Sequence, residues 1–438
     1  MISPETHCQL PGHHARQPKS YSQRKSINIP AFLNKCKVYS HFAALVLRYS
    51  FKPETMNMQQ TSLFAIIGGG IAGLTTAIAL KRIGIEATVF EAAPEFQPVG
   101  AGIMLAANAM KAFAHLGIDD EISRAGRSFN SQAVLSQSGK AITRFQTDAI
   151  TKEYTNVAIH RGELHRMLLK QLDPSQVFTG KRSTGIKNTH KGYVVSFADG
   201  TSVLAKYVTV AEGIHSTIRQ SLLPEAEKRY SGYTCWRGIA DNSQLNITEP
   251  TETWGCNGRF GLVPLNDHQL YWFAVKNAPE NSEEMKSYTL DDLLRNYKHY
   301  HPSIGQALKA TSENNILLND IHDLKPIHRY AFGNVVLVGD AAHATTPNLG
   351  QGACQSIEDA VVLADCLLHN SMVQDAFQSF ERKRLQRTHF IVNQSWQMGK
   401  IGQWTNPAAM WIRNCVVRSL PDAMKLNTVK KVYDFKLE

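Results

Sequence analysis

From Ser62 onward, short apolar runs alternate with longer segments of helical period, and this rhythm predicts an α/β fold. Leu63–Ile67 is a continuous apolar run, the mark of a strand covered on both faces. A glycine turn follows. Apolar positions then recur at helical spacing from Ala72 to Ile83, and Ala87–Phe90 reads as a second strand. The same reading predicts a helix over Asn108–Leu116 and a strand at Val157–Ile159 leading into a helix from Glu163 to about Leu172. Tyr193–Phe197 and Val203–Val210 form a hairpin about the turn Asp199-Gly200. Residues 230–275 are rich in Tyr, Trp, Phe and Thr and alternate over short stretches, which predicts sheet. Asp291–Lys309 reads as one helix, Asn334–Val338 as a strand, and the chain from Gln355 on as mostly helix. An α/β unit is thus assembled from separated stretches, with a sheet-rich unit inserted among them.

Composition narrows the picture. A chain of 438 residues can bury a large core and carry two structural units that share one site. No apolar run reaches the roughly eighteen residues of a membrane span, which excludes an integral segment. The formal charge of +10 points to nucleic acid only until it is located. Residues 1–57 hold eight Lys/Arg against Glu5 and Glu54, so only +4 remains on the other 381 residues, and nucleic-acid binding is disfavoured. Seven cysteines show no C-x-x-C pair and no metal spacing with His, as expected of reduced thiols in a cytoplasmic protein without a metal site.

Residues 1–57 are basic and rich in Ser, His and Gln, with no clean period. They fit a disordered tail, a transit peptide, or sequence upstream of a true start at Met56 or Met58. The two methionines directly before the first strand favour the last.

Three motifs carry chemistry. Gly68-Gly69-Gly70-Ile71-Ala72-Gly73 stands between a strand and a helix, with Glu91 at the end of the next strand. Gly68 permits the tight turn, Gly70 lets a pyrophosphate approach the backbone, and Gly73 lets helix and strand pack closely. The helix N-terminus supplies oriented N–H groups, and Glu91 accepts from both hydroxyls of a ribose without a 2′-phosphate. The second motif, Gly339-Asp340 through Pro347-Asn348-Leu349-Gly350-Gln351-Gly352, follows the apolar strand Val335–Val338 and precedes a helix. The third is Glu212-Gly213-Ile214-His215-Ser216-Thr217-Ile218-Arg219, and Arg161 stands in His160-Arg161-Gly162.

In this order the motifs resemble those of the class A flavoprotein monooxygenases, the p-hydroxybenzoate-hydroxylase-like family, from about Ser62 to the C-terminus. Val99–Ile103 and Tyr230–Gly238 look most like the urate and salicylate hydroxylases, and the second segment also looks like zeaxanthin epoxidase. The resemblance implies a glutathione-reductase-type, Rossmann-like FAD-binding domain over 58–135, 150–228 and 325–380. It implies an inserted substrate domain over 136–149 and 229–324, and C-terminal helices over 381–438. It places Asp340 on the ribityl chain of non-covalent FAD, and Pro347, Gly350, Gln351 and Gly352 beside the flavin ring. Arg161, Ala72, Ala92 and Met104 join the FAD contacts. Glu212, Gly213 and Arg219 match a segment that touches the FAD pyrophosphate and the NADH or NADPH co-substrate, although the family usually has Asp at position 212. His343 reads as a structural histidine of the Gly-Asp turn rather than a base.

What the resemblance implies for activity is hydroxylation. NADH or NADPH reduces the flavin, O₂ adds to give a C4a-hydroperoxide, and its terminal oxygen attacks a small aromatic or heteroaromatic substrate. Isoprenoid epoxidation and flavin-dependent dehydrogenation or reduction are alternatives on the same fold. Strand alternation puts Tyr233, Cys235 and Arg237 on one face and Trp236 on the other. Tyr233 and Arg237 are the candidate catalytic residues, Arg237 as a partner for a substrate anion. A monomer or homodimer is expected.

Overall fold

A computed structural model of the chain describes residues 60–96, 101–146, 153–312 and 316–437. The readings of residues 1–57 and of Val99-Gly100 fall outside the described residues.

The first apolar run becomes the strand Gln60–Ile67, whose last four residues are buried in succession. Burial on both faces follows from its place inside a mainly parallel sheet. It pairs in parallel with Ser202–Val210 on one side and Ala87–Phe90 on the other. Val335–Leu337 extends the sheet beyond Ser202–Val210, and Val177–Phe178 extends it beyond Ala87–Phe90. The predicted hairpin forms, with Gly192–Phe197 antiparallel to the start of Ser202–Val210. One face of this sheet carries the helix Ile71–Arg82, which packs on Gly352–His369.

A second sheet of seven strands is built around the 14-residue strand Lys228–Asp241, flanked by Leu317–Leu324 and Gln269–Asn277. Its two faces have different jobs. Trp236, Ala240, Phe260 and Trp272 point outward into a core closed by Tyr297, Tyr300, Ile304 and Leu308. Tyr233, Cys235, Phe273 and Val275 point the other way. The alternation read from the sequence is therefore the alternation observed.

Two boundaries differ from expectation. Ser131–Ser136 pairs with Ala141–Gln146 and with Thr251–Gly255, so residues 131–135 lie in the second sheet rather than with the nucleotide-binding unit. Pairing on both of its edges holds the strand there and outweighs the chain continuity that sequence reading followed. Asp291–Lys309 is two helices, Leu290–Asn296 and Pro302–Lys309. Pro302 has no N–H to continue the first helix and instead starts the second, where that donor is not needed.

Candidate active site

The two sheets face one another across a cleft of about 1370 Å³. At its nucleotide end, the glycines divide into two kinds. A Cβ on Gly68 would stand 2.3 Å from the Ala211 carbonyl oxygen, and one on Gly73 would stand 1.8 Å from the Gly68 oxygen. These two are glycine because the backbone packs against itself. A Cβ on Gly70 or on Gly213 would meet nothing within 4 Å, and both residues line the cleft. Gly213 also needs glycine for its φ of +77°, whereas Gly70 is glycine only at a surface that opens onto ligand space. No side chain caps the N-terminus of Ile71–Arg82, so its first N–H groups remain available to an anion.

Arg161, Asp340, Pro347, Gly350, Gln351, Gly352, Ala72 and Met104 line the same cleft. Asp340 sits deep yet open to the cleft. Burial pushes its carboxyl pKa up, against the lowering pull of His343 and Arg161. Gln351 has no capping role at Gly352–His369, and that helix too presents an N-terminus without a side-chain cap. An uncapped helix end, two backbone cradles, a carboxylate and a guanidinium are the groups that a pyrophosphate, a ribityl chain and a flavin pyrimidine edge require. The residues present fit FAD.

Other expected contact residues are held by partners within the protein. Both oxygens of Glu91 accept from backbone, 2.6 Å from Gly69 N and 2.8 Å from Ala93 N, so the acid braces the glycine turn. Glu91 and Ala92 are not among the cleft lining. Glu212 does not line it either. Its carboxylate accepts from the Ser183 and Ser216 hydroxyls and, at 3.1 Å, from Ile218 N. The extra methylene relative to aspartate carries the charge to the start of the helix Thr217–Leu222, where Ser216 is the cap and Glu212 accepts from a second first-turn N–H, that of Ile218. Arg219 is fully buried, donating to the Ile214 carbonyl at 2.7 Å and toward the Ala341 carbonyl at 3.4 Å. It ties the second loop to the Gly-Asp turn and does not line the cleft. His343 is also structural, 2.7 Å from Asp359 Oδ2.

On the opposite wall, Arg237 lines the cleft with Cys235, Tyr271, Phe273 and Val275. Among the described residues no carboxylate pairs with Arg237, and its side-chain partner is the Cys235 thiol. Tyr233 is 2% exposed and outside the lining. Its hydroxyl accepts from Asn348 Nδ2 at 2.9 Å. Asn348 also donates to Thr346 Oγ1 and the Ser395 carbonyl, and accepts from Arg259 at 2.7 Å. Tyr233 therefore holds the Pro347–Gly352 segment in place from the substrate sheet.

Sequence reasoning missed a buried ion network behind that segment. Arg384 donates to Asp359 Oδ1 and Glu358 Oε2, both at 2.6 Å, and to Gln355 Oε1 at 2.7 Å. Arg387 adds a second contact to Glu358 at 2.6 Å. Burial opposes the charge on both acids, but the cations outweigh it and hold both below the ordinary carboxylate range. Two consecutive acids in the apolar helix Gly352–His369 signal a buried partner; which arginine supplies it is a matter of tertiary structure.

An FAD binding domain model matches residues 61–395. The chain belongs to the class A flavoprotein monooxygenases. This flavoprotein is 38% identical to the aurachin C monooxygenase/isomerase of Stigmatella aurantiaca over 358 residues, 81% of this chain and 93% of that one. It is 32% identical to the 2-heptyl-3-hydroxy-4(1H)-quinolone synthase of Pseudomonas aeruginosa over 84% of this chain and 97% of the relative. Among solved structures, HpxO of Klebsiella pneumoniae complexed with FAD and uric acid superposes with a TM-score of 0.79 and 29% identity, over 85% of this flavoprotein and 96% of HpxO.

Proposed function

We propose that this flavoprotein is a single-component hydroxylase that uses NADH or NADPH and O₂ to oxygenate a heteroaromatic ring of the 4-quinolone kind bearing an apolar chain. The observation that carries this reading is the composition of the cleft between the two sheets. Flavin-binding segments form one wall, and Arg237, with no carboxylate partner among the described residues, stands among Cys235, Tyr271, Phe273 and Val275 on the other. The lining continues past Arg237 to Ile412, Val416, Leu420 and Met424, an apolar stretch far larger than a bare bicyclic ring requires. Two near-full-length relatives are named for quinolone and aurachin chemistry.

When bound and reduced, FAD supplies an electrophilic oxygen atom derived from O₂. The chain's own residues do the rest. Arg237 donates charge-assisted hydrogen bonds to the ring oxygen and favours its anionic, more nucleophilic form. Burial pushes the Tyr271 pKa up, so its hydroxyl stays neutral beside Arg237. The apolar wall excludes water, which keeps the oxidant from being lost as peroxide. With one dinucleotide fingerprint in the chain, the nicotinamide binds transiently across the groove lined by Gly213, Ile214 and His215.

NADH or NADPH oxidation by the purified protein should be slow alone and rise at least tenfold with the right ring. The test is a panel of 2-alkyl-4-quinolones, hydroxyquinolines, urate and phenols under labelled O₂. One labelled atom per product is expected; stoichiometric product without label leaves a dehydrogenase, and an oxirane product leaves an epoxidase. Arg237→Met should retain FAD while kcat/KM falls about 30- to 150-fold, the loss of about 2–3 kcal/mol from a charged hydrogen bond. Unchanged kcat/KM removes Arg237 from the site.

A further inference from the structure

We propose that the C-terminal helices dock the protein on an anionic lipid surface, with the mouth of the cleft facing that surface. The helix Pro407–Ser419 is built inside out. Its interior charge, Arg413, is 3% exposed, donates to the Ile401 and Gly402 carbonyls, and lies 4.6 Å from the centre of the Trp254 ring. Its outer side carries Trp411, 69% exposed, and Ile412 and Val416, each more than half exposed. Ile401, Trp404 and Met424 extend this surface. An apolar face held outward by a buried arginine does not lower its free energy in water; it needs a partner.

Charge identifies the partner. Residues 400–438 hold seven Lys/Arg against three Asp/Glu, the whole +4 that remains beyond residue 57, so the body from 58 to 399 is electrically balanced. Arg418 lies seven positions after Trp411, on the same helix face, and Lys430 and Lys431 are exposed on the helix that follows. A second copy of the chain would bring like charge against like charge. A bilayer with anionic headgroups matches both features: cations meet phosphates while Trp404 and Trp411 sit at the headgroup level, the depth that indole rings prefer. Among the described residues no helix is long and apolar enough to cross a membrane, so the contact is with the surface.

The position relative to the cleft gives the contact a purpose. Ile401, Trp404, Ile412, Val416 and Met424 are both exposed and part of the cleft lining. A substrate partitioned into lipid would pass to the ring site along apolar side chains without crossing bulk water. Docking itself does not depend on the proposed substrate, and the test uses none.

FAD-loaded full-length protein should co-sediment with vesicles of 30 mol% phosphatidylglycerol in phosphatidylcholine at least tenfold more than with phosphatidylcholine alone. Trp411→Glu combined with Arg418→Glu should abolish the difference while flavin content stays that of the wild type. Quenching by brominated lipid should be present in the wild type and reduced in Trp411→Phe, a readout that stands even if the charged variant unfolds. Equal sedimentation of the charged variant would assign binding to the basic residues 1–57 and overturn the proposal. So would absence of binding by the wild type, or a dimer in light scattering that the charged variant abolishes.

Discussion

Gly70→Val should give a folded, colourless protein. Gly70 has an extended backbone, φ −74°, so valine is not strained there, and its Cβ would meet no atom within 4 Å. Folding is left alone. The two added methyls fill the space through which a pyrophosphate reaches the helix N-terminus, so FAD affinity should fall at least ~100-fold, about 2.7 kcal/mol. Titration with FAD measures the loss, and circular dichroism with urea unfolding checks that the fold survives. Gly73→Val should behave in the opposite way, losing the fold itself, because its Cβ would stand 1.8 Å from a backbone oxygen. A Gly70→Val protein that purifies yellow with full occupancy would show that the pyrophosphate does not lie over this turn.

Arg384→Ala should be among the most damaging single changes in the chain. It leaves Asp359 and Glu358, both fully buried, without their shared cation. Breaking such a buried set costs about 3 kcal/mol, the low end for a buried pair, because Arg387 stays on Glu358 while Asp359 keeps only His343 and Gly339 N in a poorly solvated place. Asp359 also accepts from Gly339 N at 2.8 Å, so the strain passes directly to the Gly-Asp turn and to Asp340. Urea unfolding should show lower stability and flavin loss together. Arg384→Ala combined with Glu358→Gln and Asp359→Asn should recover part of the stability, since neutral side chains are cheaper to bury. Equal stability of Arg384→Ala and the wild type would reduce the network to packing.

What was legible in the sequence is what depends on local geometry. Gly70 and Gly73 are set by a turn that spans six residues, as is the positive φ of Gly68, and the strand alternation that sends Cys235 and Arg237 to one side and Trp236 to the other is a property of the backbone. What was not legible depends on chain segments far apart. Glu212 and Arg219 sit in a segment matching a ligand-binding motif, yet their side chains turn to Ser183, Ile214 and Ala341. Tyr233 faces as predicted, but Asn348, 115 residues away, takes its hydroxyl. A motif gives the path of the backbone past a ligand; whether each side chain faces the ligand or braces the loop is settled by its neighbours.

The order of strands in the first sheet also governs how the chain is born. Ile67 has its parallel partner at Val210, about 140 residues later. At a synthesis rate of about 5–20 residues per second, the first strand leaves the ribosome roughly 7–30 s before that partner exists. Throughout that interval its apolar stretch Phe64–Ile67 has an open edge on the side that Ser202–Val210 will cover, a template for pairing with other nascent chains. Loading of the flavin cannot shorten the wait, because Asp340 and the Pro347–Gly352 segment emerge later still. Yield in a cell should therefore follow the supply of chaperones that shield a young strand more closely than it follows the supply of FAD.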